Sequence, residues 1–166
     1  VTNENNLALS AKSAILIDLD EKNVLYQKNA SERLPMASTT KIVTALLVCE
    51  LSSIDAIVKI PREAVGIEGS SIYLCEGELL TVEELLYALL LESANDAAEA
   101  IAIHTAGSVE AFVCLMNDKA RILGMTDTHF ENPHGLPMDG HYSTARDMAI
   151  LFSYAIDNPV FAMITG

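Results

Sequence analysis

The sequence predicts an α+β fold in which a small amount of β structure near the N-terminus precedes a mainly helical mass. An apolar, strand-like run, AILIDL at residues 14–19, is followed after a short polar break by Val24, Leu25 and Tyr26. From Ser38 onward the apolar stretches are longer and more continuous than solvent-facing strands allow, and caps and glycine stops punctuate them as in helices. The chain has 166 residues, of which 51% are hydrophobic and 20% charged. That is enough to close one core and cramped for two.

Asp20, Glu21, Lys22 and Asn23 separate the first two apolar runs and turn them into a β-hairpin, although the Asn-Gly or Asp-Gly pair of a tight turn is missing. Such a hairpin has little stability alone, so it must pack on a helix or join further strands. Polar Asn29 to Arg33 and then Pro35 lead onward. Ser38 opens a run containing Ile42, Val43, Ala45, Leu46, Leu47 and Val48, which reads as a mostly buried helix. Ala56 to Ile60, closed by Pro61, form a short strand, and Gly66, Gly69 and Gly77 mark a connector.

Thr81 stands three residues before Glu84 and directly before an apolar run, the capping-box pattern of a helix reaching about Leu91. The polar SAND segment at 93–96 interrupts it, and a helix restarts with Asp96 available as its cap and Gly107 as its stop. Ser108 caps a further helix that stops at Gly124. NPHGLPMDG at 132–140 is a loop, and Thr144 begins a last helix ending before Pro159.

Ten basic against 23 acidic side chains give a net charge of -13, which excludes nucleic-acid or anionic-membrane binding through a general basic field. No apolar run reaches the roughly 18 residues of a membrane span, and no basic-then-apolar N-terminal stretch marks an intact signal peptide. A signal already removed is compatible with this. Cys49, Cys75 and Cys114 have neither a CxxC spacing nor the density of a disulfide scaffold; they read as one pair at most, or as three buried thiols.

Ser38-Thr39-Thr40-Lys41 is the most informative tetrad. At the start of a helix, Lys41 lies one turn from Ser38 on nearly the same face, within reach of the hydroxyl. A lysine can activate a serine only as the neutral amine, a form favoured by burial or by a neighbouring cation, and the helix N-terminus can offer N–H groups to an oxyanion. The plain alternative is a serine cap with a solvated lysine. Ser93-Ala94-Asn95, between two helices, can point a hydroxyl and an amide into a cleft, or can simply cap the helix that follows.

With these motifs in place, the sequence resembles the low-molecular-mass penicillin-binding serine D-alanyl-D-alanine carboxypeptidases of peptidase family S11. The likeness extends over the surrounding segments LPMASTTKIVTALL, GELLTVEELLYALLLESANDAAEAIA, FENPHGLP and HYSTARDMA, and so over essentially the whole chain. It implies a β-lactamase/transpeptidase-like fold, with residues 1–166 as part of one catalytic domain. It implies that Ser38 attacks the carbonyl between the last two D-alanines of a peptidoglycan stem peptide and forms an acyl-enzyme that water then releases. Lys41 would be the general base, Ser93 a proton relay to the leaving amine, and Asn95 a residue positioning substrate and lysine. β-Lactams would trap Ser38, no metal or organic cofactor is implied, and the site of action would be outside the cytoplasmic membrane.

The family's third motif, usually KTG on a later strand, has no counterpart here, and neither Lys12 nor Lys28 can be assigned in its place. The chain is therefore expected to be an N-terminal portion of a transpeptidase-like protein, with a second chain or a C-terminal segment completing the site. Two other functions compete: a serine β-lactamase, for which Glu131 has no assignable role from sequence alone, and a non-catalytic peptidoglycan- or partner-binding module. His129, His134 and His141, with Glu131 and Asp139, match no HExxH or compact zinc pattern and read as loop hydrogen-bonding groups; His104 reads as structural.

Overall fold

The computed structural model describes residues 8–21 and 23–166. Strands β1 (Ala14–Ile17) and β2 (Val24–Lys28) pair antiparallel, with Ala14 opposite Lys28 and a register shift between Leu16 and Ile17. Lys22 of the expected turn lies outside the described residues. The turn manages without Asn-Gly because the Asp18 carboxylate accepts from the backbone N–H groups of Asp20 and Glu21 at 2.9 and 3.0 Å.

The helices that follow among the described residues are α1 (Lys41–Leu51), α2 (Val82–Leu91), α3 (Asn95–Ala106), α4 (Val109–Leu123), α5 (Ala145–Ala155) and α6 (Pro159–Thr165). Helix α1 is apolar on nearly every side, which suits a central helix, and it packs against each of the other five. Val43, Ala45, Leu46 and Val48 are fully buried on it. Alanines 97, 98, 100 and 102 thin the contact surface of α3, letting that helix approach α1, α2 and α4 closely. On amphipathic α4, Phe112, Met116 and Ala120 recur every fourth residue and face the core.

Local signals work as expected at several ends. Thr81 Oγ1 accepts from Glu84 N at 3.1 Å while Glu84 Oε2 accepts from Thr81 N at 2.8 Å, the complete capping box. Ser108 caps α4, and Gly107 and Gly124 close α3 and α4 in the left-handed conformation.

Elsewhere the structure departs from expectation. Ser38 sits in a 3-10 turn, Ala37–Thr40, and α1 proper starts at Lys41. A strand β4 (Leu79–Thr81) pairs antiparallel with β3 (Ile57–Lys59) where only a connector was expected. Asp96 is not the cap of α3: Ala94 occupies that position, and the Asp96 carboxylate instead accepts from Ser71 Oγ, Leu74 N, Ile72 N and Ala97 N. The last helix is two, because Asn158 accepts from Val160 N and Phe161 N and thereby starts α6 with Pro159 at its first position. The thiols are not buried: Cys49 is half-buried, Cys75 and Cys114 are exposed, and all three are free.

Candidate active site

Ser38 is exposed on the 3-10 turn, and its neighbour Ala37 adopts a left-handed φ of 46°, a conformation that costs energy in a residue with a Cβ. Lys41 is 2% exposed. Its Nζ donates to Asn95 Oδ1 at 2.7 Å and to the His134 carbonyl at 2.9 Å, and lies 3.4 Å from Ser38 Oγ. Burial pushes the amine down from 10.5 to about 8, so desolvation alone provides the neutral fraction that a base requires, and no neighbouring cation contributes.

Asn95 opens α3 and is held from both sides. Its Nδ2 donates to the Glu68 carbonyl at 2.6 Å and its backbone N–H to the Ser70 carbonyl at 2.7 Å, which fixes the amide with its oxygen toward Lys41. The connector reaches so close only because Gly69, at φ 90°, lacks a side chain; a Cβ there would stand 2.7 Å from Asn95 Nδ2. Ser93 lies at the junction of α2 and α3 with a left-handed φ of 55°, and its hydroxyl makes no hydrogen bond to another described residue. Ser38, Lys41 and Asn95 are thus brought into one cluster, while Ser93 stands outside its hydrogen bonds.

A cleft of about 320 Å³ opens over this cluster, lined among others by Ser38, Ser70, Asn95, Gly135, Leu136 and Met138. Its far wall is the 132–138 loop, which buttresses the site from behind. Thr44 Oγ1 donates to the Pro133 carbonyl at 2.6 Å, and Asn132 Oδ1 accepts from Gly135 N at 2.6 Å while its Nδ2 donates to the Leu136 carbonyl. Gly135, at φ 94°, is packed against the serine turn so tightly that a Cβ would overlap the Ala37 carbonyl.

His129, His134 and His141 each serve a separate structural bond. His141 Nε2 meets Thr40 Oγ1 at 2.9 Å, and its Nδ1 accepts from Glu131 N; burial holds its pKa below the usual range. His129 pairs with Glu131 at 3.1 Å and His134 with Glu99 at 3.2 Å. His104 is exposed on α3. Sequence reasoning missed the His134 carbonyl and Glu99. A backbone acceptor has no residue signature, and Glu99 reads as an ordinary helical surface charge.

Fold and cluster together define the class: the helix-rich part of the β-lactamase/transpeptidase-like fold found in penicillin-binding proteins and DD-peptidases. The solved structure of the D-alanyl-D-alanine carboxypeptidase DacD from Francisella tularensis matches with a TM-score of 0.93 at 33% identity, over 99% of this chain and 41% of that one. Penicillin-binding protein 6B from Escherichia coli matches with a TM-score of 0.89 at 33% identity, over 93% of this chain and 52% of that one. The chain belongs to the D-alanyl-D-alanine carboxypeptidase family of peptidases, whose model matches residues 1–165. A curated relative, DacF from Bacillus subtilis, is 44% identical over 98% of this chain, which spans 43% of the relative's length.

Proposed function

We propose that this chain carries the serine-acylating part of a D-alanyl-D-alanine carboxypeptidase acting on peptidoglycan stem peptides at the outer face of a bacterial cell membrane. The observation that carries the reading is Lys41 Nζ, buried, brought to a pKa of about 8, and 3.4 Å from Ser38 Oγ. In its neutral form the amine takes the Ser38 proton as Oγ attacks the carbonyl between the terminal D-alanines. The tetrahedral intermediate collapses, the terminal D-alanine leaves with a proton, and water releases the shortened peptide from Ser38. Asn95 holds the amine and borders the cleft where the substrate backbone would lie. Ser93, at the edge of the site, would pass the proton from Lys41 to the leaving amine once substrate fills the cleft.

The substrate's terminal carboxylate requires a cation, and neither Lys12 nor Lys28 lines the cleft; Lys28 Nζ donates to the Leu9 carbonyl beside the hairpin. We assign that cation to a further segment or a second chain. A β-lactamase would need a carboxylate poised over the acyl group, and the Glu131 carboxylate is instead engaged by His129. That favours slow deacylation, with β-lactams trapped as stable adducts.

Intact mass after incubation with penicillin, with Ser38→Ala as control, tests this reading. A persistent gain of one penicillin, absent from the variant, is expected. Absence of an adduct on folded protein would sink the activity, and fast release of hydrolysed penicillin would move the assignment to a β-lactamase.

A further inference from the structure

Asn95 and Glu99 are one helical turn apart on α3 and project from the same face. Asn95 holds the Lys41 amine directly, and Glu99 reaches that amine by a second route. Glu99 Oε1 is 3.2 Å from His134 Nε2, and the His134 carbonyl accepts from Lys41 Nζ at 2.9 Å. Both side chains of the pair are shielded, at 8% and 12% exposure. The Leu136 N–H donates to His134 Nδ1 at 3.1 Å, so the neutral ring carries its proton on Nε2, the nitrogen that faces Glu99. The ring is therefore gripped by its own loop at one nitrogen and by α3 at the other.

We propose that Glu99 is a positioning residue for Lys41: its carboxylate fixes the His134 ring, and through that ring the backbone carbonyl that aims the amine at Ser38. Without an acceptor the buried Nε2–H would be left unpaired, and the ring would turn toward water and draw its carbonyl away. Asn132 Oδ1 accepts from the His134 N–H at 3.3 Å and Thr44 Oγ1 donates to the Pro133 carbonyl, but neither side chain touches the His134 ring or its carbonyl, so they do not substitute for Glu99. The kinetic consequence rests on Ser38 and Lys41 being the reacting pair; the structural one does not.

The test compares wild type, Glu99→Ala and Glu99→Gln in the full-length protein containing this chain. Glutamine keeps an oxygen able to accept from Nε2. Two quantities are read: the rate constant of penicillin acylation per competent site, after titration of those sites, and the rate at which dilute acetic anhydride acetylates Lys41, followed by peptide mass. The alanine variant is expected to acylate roughly tenfold more slowly with initial penicillin binding unchanged, as a small misplacement of a reacting group predicts. Its Lys41 is expected to acetylate several-fold faster, and glutamine is expected to restore both rates.

Wild-type rates in the alanine variant, an equal loss in the glutamine variant, or a loss confined to the number of competent sites would each overturn the proposal. Should the wild type form no penicillin adduct, the catalytic reading falls by itself and the acetylation rates decide the positioning. Unchanged acetylation in Glu99→Ala refutes it, and faster acetylation rescued by glutamine supports it.

Discussion

In the proposed reaction, Lys41 concentrates the chemistry of the site in one side chain. Its amine is buried, bonded to two neutral oxygens and pushed down to about 8 by desolvation. With Lys41 as the proposed base, acylation by penicillin should rise with pH and level off with a midpoint near 8; a midpoint close to the ordinary 10.5, in a rate measured per competent site, would refute the role of burial. The same shift has a sign for stability. The folded value lies below the unfolded one, so between about 8 and 10.5 the native state binds fewer protons and stability rises with pH. Below that window the cost of burying a charge is fully present, on the order of 3 kcal/mol from about 1.4 kcal/mol per pKa unit. Urea denaturation should show wild type gaining on Lys41→Met as pH climbs through the window; parallel curves would contradict it. The Ser38–Lys41 spacing was legible in the sequence because one helical turn brings the two together, whereas the carbonyl of His134 arrives across 93 residues and carries no side-chain signature.

Helix α3 and the connector in front of it form the element on which this geometry depends. Asp96 is fully buried and accepts four hydrogen bonds, three of them from residues 71–74 of the connector, whose Glu68 and Ser70 carbonyls in turn hold Asn95. Asp96→Ala should cost about 3 kcal/mol, since it strands several buried donors at once, and should slow acylation by loosening Asn95. Thr81→Ala, which removes only a helix cap, should cost about 1 kcal/mol and leave acylation unchanged. Denaturant titration with penicillin kinetics on both variants checks the pair, and equal kinetic effects would contradict the link from Asp96 to the site. Caps at Thr81 and Ser108 and stops at Gly107 and Gly124 were readable because each acts within a few residues. Asp96 was misread because an aspartate at a helix start serves a local N–H and a distant loop equally well, and only the fold chooses. Strand β4 escaped notice because it has three residues and its partner β3 lies across the connector, so no periodicity announces it.

At the scale of the whole molecule, the helical core is buried while the hairpin and α5 keep apolar side chains open to solvent. The hairpin is a two-stranded sheet lying on α5, and Leu16, Val24, Leu25 and Phe152 on these elements are 55%, 42%, 57% and 41% exposed. Between hairpin and helix runs a groove of about 590 Å³, larger than the cleft over Ser38, lined by apolar groups such as Ile15, Ile17, Val24, Ile150 and Ile156. The sequence foretold this in outline, since a hairpin needs further cover to be stable, but not which surfaces stay open, because that follows from how α5 meets β1. Open strand edges beside apolar side chains favour pairing between copies, and a net charge of -13 opposes it. These 166 residues expressed alone should therefore self-associate, more strongly as salt screens the charge. Leu16→Lys with Leu25→Lys should lower the light-scattering mass toward the monomer while leaving the circular dichroism helical. A wild-type chain that stays monomeric at high concentration and high salt would show that hairpin and α5 cover each other well enough. The apolar groove would then be a property of the closed molecule rather than a face awaiting a partner.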